Sequence, residues 1–249
     1  MYRIEMPIFN KPITPGLTRL DDSFRGIPHA QGNTVKNGKE LIRFIGTPNF
    51  DTSNLPVFDY FHLETLDRDK RLWEWCKNDV HQIDGPYSPS NFSLFISSKV
   101  KDILTKYMMA KPSGYVSSKL KYQGVNYDYW IFYCFRYCTF DDIIFDKSNF
   151  QIFKDSSRKK LIADYNGKIE NHADYQETEK DVKQNLKADI FFKKAVIKHY
   201  YDFLMLFNDR FFYISKRLKE DLEDNGITGI EFVEATDIEF QFLEDAPPV

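Results

Sequence analysis

The chain has 249 residues, of which 42% are hydrophobic and 29% charged, and its net charge is −3. That is the composition of a globular protein with one large domain or two modest ones, and no segment approaches the roughly 20 uninterrupted apolar residues of a membrane helix. Its three cysteines, Cys76, Cys134 and Cys138, are too few for a disulfide framework and include no CxxC pair, so they read as core thiols.

The start, MYRIEMPIFNKPITPG, has no basic stretch leading into an apolar one and no small-residue cleavage pattern, which points to the cytoplasm. Proline and glycine punctuate Met1 to Pro48. SNLPVFDYFHL is expected to hold a strand, and ETLDRDKRLWEWCKND, Glu64 to Asp79, a helix with its tryptophans inward. SLFISSKVKDIL, Ser93 to Leu104, then reads as a buried strand, a serine N-cap at Ser97 and a short helix with Val100, Ile103 and Leu104 on one stripe. PSGYVSSKLKY follows as a strand. In NYDYWIFYCFRYCTF both alternating sets are largely apolar, so that strand is expected to be covered on both faces. Lys154 to Asp189 is polar and reads as a linker or long excursion, within which EKDVKQNLK suits a short solvated helix. DIFFKKA, Asp189 to Ala195, reads as a strand and VIKHYYDFLMLFND, Val196 to Asp209, as an apolar helix.

FFYISKRLKEDL, Phe211 to Leu222, repeats the earlier SLFISSKVKDIL at a constant offset, with Ser215 over Ser97, Arg217 over Lys99 and Leu222 over Leu104. Gly226 supplies the left-handed turn that ends the second helix. The expected fold is therefore α+β in two related halves, 1–155 and 156–249, each with strands packed on a short amphipathic helix. The second helix is charged in reverse: Lys216, Arg217 and Lys219 lie near its N-terminus and Glu220, Asp221, Glu223 and Asp224 near its C-terminus. Each such placement opposes the helix dipole at a cost of about 0.3–1 kcal/mol. Pairs four residues apart, 216 with 220, 217 with 221 and 219 with 223, offset part of that cost. From Glu220 onward there are ten acidic residues and no lysine or arginine, so the preceding residues sum to about +7. This acidic end reads either as a solvated face or as a footprint for a basic partner.

Signatures of chemistry are sparse. His29, His62, His81, His172 and His199 stand singly, and no phosphate-binding glycine loop, nucleophile elbow or metal motif is present, so neither metal nor cofactor is expected. Asp141, Asp142 and Asp146 are the candidates for an acid pair, although adjacent aspartates after a strand more often cap a turn. The tyrosines interleaved with Lys119, Lys121 and Arg136 offer stacking platforms for single-stranded nucleic acid, but the acidic balance opposes phosphate binding.

The run FYISKRLKEDLEDNGITGIEF resembles the C-terminal signature of a group of bacterial immunity proteins from polymorphic toxin systems, formerly catalogued as a domain of unknown function. In that signature a strand leads into Ser-x-x-Leu-Lys, here Ser215 to Lys219, then a short helix and a Gly-Ile-Thr-Gly-Ile-Glu-Phe ending, here Gly226 to Phe232. FDDIIFDKSNFQIF is similar to the family's aspartate-rich middle motif, and DIFFKKA to the strand that opens its second half. The resemblance implies a non-enzymatic inhibitor of a cognate toxin domain, cytoplasmic and without a catalytic residue to carry over. Combined with the acidic end, it makes Glu220, Asp221, Glu223, Asp224, Glu231, Glu234, Asp237 and Glu239 the candidates for contact with a basic toxin, with Ser97, Ser215 and Gly226 as structural caps.

Overall fold

A computed structural model describes residues 1–5, 29–32, 60–66, 72–74, 76–84, 93–134, 140–156, 158–209 and 211–246. In chain order its first elements are β1 (Tyr2–Glu5), β2 (His29–Gly32), β3 (Phe61–His62), β4 (Glu64–Leu66), β5 (Leu72–Glu74), β6 (Val80–Asp84), β7 (Ser93–Ser97), α1 (Ser98–Leu104), β8 (Ser113–Tyr122) and β9 (Val125–Cys134). A 3-10 turn at Phe145–Lys147 leads to β10 (Asn149–Phe153), β11 (Leu161–Tyr165) and α2 (His172–Asp181), which a π turn prolongs over Val182–Leu186. The chain continues through β12 (Asp189–Ile197), β13 (Phe203–Met205), β14 (Phe212–Ile214), α3 (Lys216–Asp224), β15 (Glu231–Glu234) and β16 (Glu239–Phe242). The class is α+β.

The two repeated segments fold alike because their local chemistry is the same. Ser97 and Ser215 leave their strands extended, at φ −67° and −69°, and each side chain accepts a hydrogen bond from the amide three residues on, Val100 N at 3.4 Å and Leu218 N at 3.2 Å. α1 buries Val100, Ile103 and Leu104, and α3 buries Leu218 and Leu222. Gly226 takes the expected left-handed conformation, with φ 62°. The helices pack against each other, and their buried side chains share one core with Ile96, Phe132, Phe203 and Ile214.

Strand order makes the relation between the halves closer than the sequence suggests. In the first half β6, β7, β9 and β8 are neighbours in that order, and β2 and β3 close them into a barrel. In the second the order is β13, β14, β1 and β15, every pair antiparallel as in the first half. Tyr2–Glu5 thus occupies in the C-terminal sheet the place that β9 holds in the barrel. A further sheet, β11-β10-β12-β16, lies outside this relation. Residue 155, the expected end of the first half, falls in the turn joining β10 to β11, which are hydrogen-bonded neighbours.

Three expectations are corrected. Glu64 to Asp79 is not a helix: β4 and β5 pair antiparallel across the charged 67–71 stretch. So short a strand carries no periodicity of its own, and the pairing of Leu72–Glu74 with Glu64–Leu66 decides it. Val196 to Asp209 is not a helix either, but the end of β12 followed by β13, whose residues Phe203, Leu204 and Met205 are all buried. A short apolar run has no periodicity to tell a buried strand from a buried helix, and partners on either side decide it. Nor is Lys154 to Asp189 a linker. It supplies edge strand β11 and helix α2, capped by the Asn171 side chain on Asp174 N at 3.0 Å. Through Tyr175, 1% exposed, α2 enters the core, where the phenol donates to the Ile190 carbonyl at 2.9 Å. The DIFFKKA strand and the strand at Phe61–His62 are present as expected, whereas EKDVKQNLK is helical only as the end of α2 and its π turn, with Val182 buried. Cys134 is buried and Cys76 half-buried, while Cys138 and most of Met1 to Pro48 lie outside the described residues.

Candidate interaction surface

The reversed charges of α3 are partly explained from within. Asp202 immediately precedes β13, and its carboxylate is fully buried against the first turn of α3. It accepts from Arg217 Nε at 2.6 Å and Nη2 at 2.5 Å, from Ser215 Oγ at 2.6 Å, from Tyr200 Oη at 3.1 Å and from Met108 N at 3.0 Å. Burial disfavours its charged form, but the guanidinium and the other donors outweigh that and hold Asp202 below the usual carboxylate range. Arg217 therefore stands at the wrong end of its helix because a buried anion waits there. Asp221, expected to pair with Arg217, instead accepts from Tyr107 Oη at 3.0 Å and Asn225 Nδ2 at 2.8 Å. Burial first, then the Asp221 contact, pushes the Tyr107 phenol up to about 12. The other two pairs form as expected, Lys216 with Glu220 at 3.6 Å and Lys219 with Glu223 at 2.5 Å.

The first half carries a matching node. Asp79, just before β6, accepts from Ser97 Oγ at 3.0 Å, as Asp202 does from Ser215. Its second oxygen accepts from Thr228 N at 3.1 Å and Thr228 Oγ1 at 3.0 Å, in the loop after α3. Asp202 likewise reaches Met108 in the loop after α1, so each half's aspartate clamps the turn that follows the other half's helix. Lys99 donates to the Asn225 carbonyl across the same contact. Sequence reading identified both serines and neither aspartate. The signal available was an acid immediately before each of the two strands, β6 and β13.

Asp237 is also committed inward. It pairs with Arg3 and, at 3.2 Å, with Arg158, whose other amine pairs with the buried Asp209. The Arg158 guanidinium lies 4.2 Å from the Phe191 ring, and the Tyr213 phenol donates to Asp209. Despite its burial, Asp237 is held below the usual carboxylate range by the two arginines. This network ties the β1 sheet to the β10 sheet.

What remains at the surface is an acidic edge. β15 ends one sheet and β16 another, and a short turn joins them. Glu231 and Glu234 are exposed and, among the described residues, neither forms an ion pair, although Glu234 lies within electrostatic reach of the Met1 ammonium; Glu239 meets Lys194 at 3.1 Å. Val233, on the same strand as Glu231 and Glu234, is 40% exposed, and Leu243, just past β16, is 48% exposed. Asp224 is exposed at the end of α3, next to the paired Glu220 and Glu223.

The aspartates after the aromatic strand do not converge on one another. Asp142 accepts from the Tyr201 phenol and lies 3.5 Å from His199, whose other nitrogen meets Glu244 at 2.8 Å, while Asp141 and Asp146 are exposed in the turn. Among the described residues, no group of three or more His, Cys, Asp or Glu side chains is arranged to hold a metal ion. Of the lysines considered for nucleic acid, Lys119 pairs with Asp128 and Lys121 lies 5.2 Å from the Tyr60 ring, while Arg136 is outside the described residues. No described helix is long and apolar enough to cross a membrane. No protein-family model matches the chain, and comparison with curated proteins and with solved structures found no match.

Proposed function

We propose that the protein is an immunity protein that acts in the cytoplasm and neutralises a cognate bacterial toxin domain by stoichiometric binding. The observation that carries this reading is the acidic edge of β15, whose exposed glutamates form no ion pair among the described residues. Glu231 and Glu234 stand on the same strand as the exposed Val233, while other acids of the same half, Asp202, Asp209 and Asp237, are paired with arginines within the fold. Fields of one sign at a surface speed encounter with an oppositely charged partner and reject like-charged ones. A basic toxin, such as a nuclease with a positive substrate groove, fits that field. The resemblance of Ser215 to Phe232 to the immunity signature supports the same reading.

The test is co-expression with the C-terminal domain of the modular toxin encoded next to this gene. The expected result is restored growth and a tight one-to-one complex whose affinity falls with salt. Replacing Glu231, Glu234 and Glu239 with serine should weaken the complex and flatten its salt dependence. Toxicity that the intact protein leaves unchanged, together with no binding, would overturn the proposal. Asp237 is excluded from the serine set because its loss would take the carboxylate from Arg3 and one of two from Arg158.

A further inference from the structure

The backbone register of β15 says more about how a partner is held. Ala235 N donates to the Met1 carbonyl at 3.2 Å, and the register pairs Arg3 with Val233 and Tyr2 with Glu234. In an antiparallel ladder, pairs that exchange hydrogen bonds alternate with pairs that do not. Val233 therefore turns its N–H and C=O toward β1, while Phe232 and Glu234 turn theirs away. The Glu234 carbonyl is taken by Thr236 N at 3.0 Å in the following turn. That leaves the Phe232 N–H and C=O and the Glu234 N–H on the outer edge, without a hydrogen-bond partner among the described residues.

Such an edge is a template for another strand unless charge protects it. Here charge protects it selectively. A second copy on this edge would bring its own Glu231 and Glu234 beside these, and the register that sets the outward-facing Glu234 against its counterpart places like charges directly opposite, which is destabilising. An incoming strand with lysine or arginine at those positions meets the opposite sign and covers Val233. We infer that the basic partner engages this protein by strand addition, laying an extended Lys- or Arg-bearing segment along the free edge of β15. The inference rests on the immunity reading for the identity of the partner. β11, whose exposed Leu161 and Ile162 also lie at a sheet edge, carries no comparable charge argument.

Glu234→Pro and Glu234→Gln separate strand addition from simple charge attraction. Both remove the carboxylate, but only proline removes the outward N–H, at a position where the β1 ladder does not use it. Affinity for the adjacent gene's toxin domain is measured for wild type and both variants, with circular dichroism as a control on folding. The expected result is that Glu234→Pro binds at least about tenfold more weakly than Glu234→Gln, the effect of one or two lost backbone hydrogen bonds at an interface. Hydrogen exchange on the wild-type complex is the second measurement, and it decides if the proline variant misfolds: the Phe232 and Glu234 amides should gain protection on binding. Equal affinities for the two variants, or unchanged exchange in a formed complex, would overturn strand addition while leaving the immunity reading intact. No complex with wild type would overturn both. Self-association with protection of the same amides would assign the edge to a second copy and overturn the basic partner.

Discussion

Removing Asp202 tests whether the C-terminal half is organised around a buried anion. Asp202→Ala leaves Arg217 with two orphaned N–H groups that now donate at 2.6 and 2.5 Å, and it deprives Ser215 Oγ and Met108 N of their acceptor. Breaking a buried ion pair from one side costs about 3–5 kcal/mol where the surviving charge stays desolvated, and Arg217, 24% exposed, can partly rehydrate, which puts this loss toward the lower end. For a chain of this length that is a fall in Tm of roughly 6–20 °C. Asp79→Ala is the internal control. It occupies the equivalent position, but its donors are Ser97, Thr228 N and Thr228 Oγ1 and no guanidinium. Its removal should cost only about 1–3 kcal/mol. Urea unfolding of the two variants and wild type, followed by far-ultraviolet circular dichroism, measures both losses. A loss below about 1 kcal/mol for Asp202→Ala, or equal losses at the two nodes, would refute the argument that the Arg217 pair makes the difference.

Two further outcomes follow from the same contacts. Gly229 has φ 92°, and a Cβ there would run into the Val80 carbonyl, whereas Gly124, at φ 77°, has open space around it. Gly229→Ala should therefore lower the urea midpoint by clearly more than Gly124→Ala, the two sharing the cost of a left-handed backbone and only the first adding a clash. Equal effects would show that the β6–loop approach is looser than described. The second concerns acid. Asp202 and Asp237 have folded pKa values below those of the unfolded chain, so as pH falls the unfolded chain takes up protons first. Their stabilisation is complete above the unfolded value of about 4 and is lost as pH falls toward the folded values. Stability should hold from pH 7 to about 5 and decline below about 4, less steeply in Asp202→Asn; an equally steep decline in that variant would assign the acid sensitivity elsewhere.

Features governed by neighbours along the chain were legible in the sequence. Ser97 and Ser215 cap their helices because a short side-chain oxygen reaches an amide three residues on whatever lies beyond. Gly226 ends α3 because only the missing Cβ makes that conformation inexpensive. The acidic end of the chain was a matter of counting. Spatial partners were not legible. Nothing in VIKHYYDFLMLFND separates a strand from a helix until β14 lies alongside β13. The aspartate-rich turn after the aromatic strand suggested chemistry, and the fold placed Asp142 against His199 and Tyr201 with Asp141 and Asp146 apart.

By itself, then, the sequence determined the repeated strand–cap–helix unit, the α+β class and the sign of the C-terminal surface, since each depends on local hydrogen bonding, apolar spacing or net charge. Tertiary structure alone decided that Tyr2–Glu5 completes the C-terminal sheet and that Asp79 and Asp202 clamp each other's halves. It also decided which carboxylates stay outside: Asp237 meets Arg3 across 234 positions in sequence, while Glu234 forms no ion pair among the described residues. A charge's partner is set by distance in space, and an intramolecular partner that falls only a few ångströms away in the fold can lie at the other end of the chain.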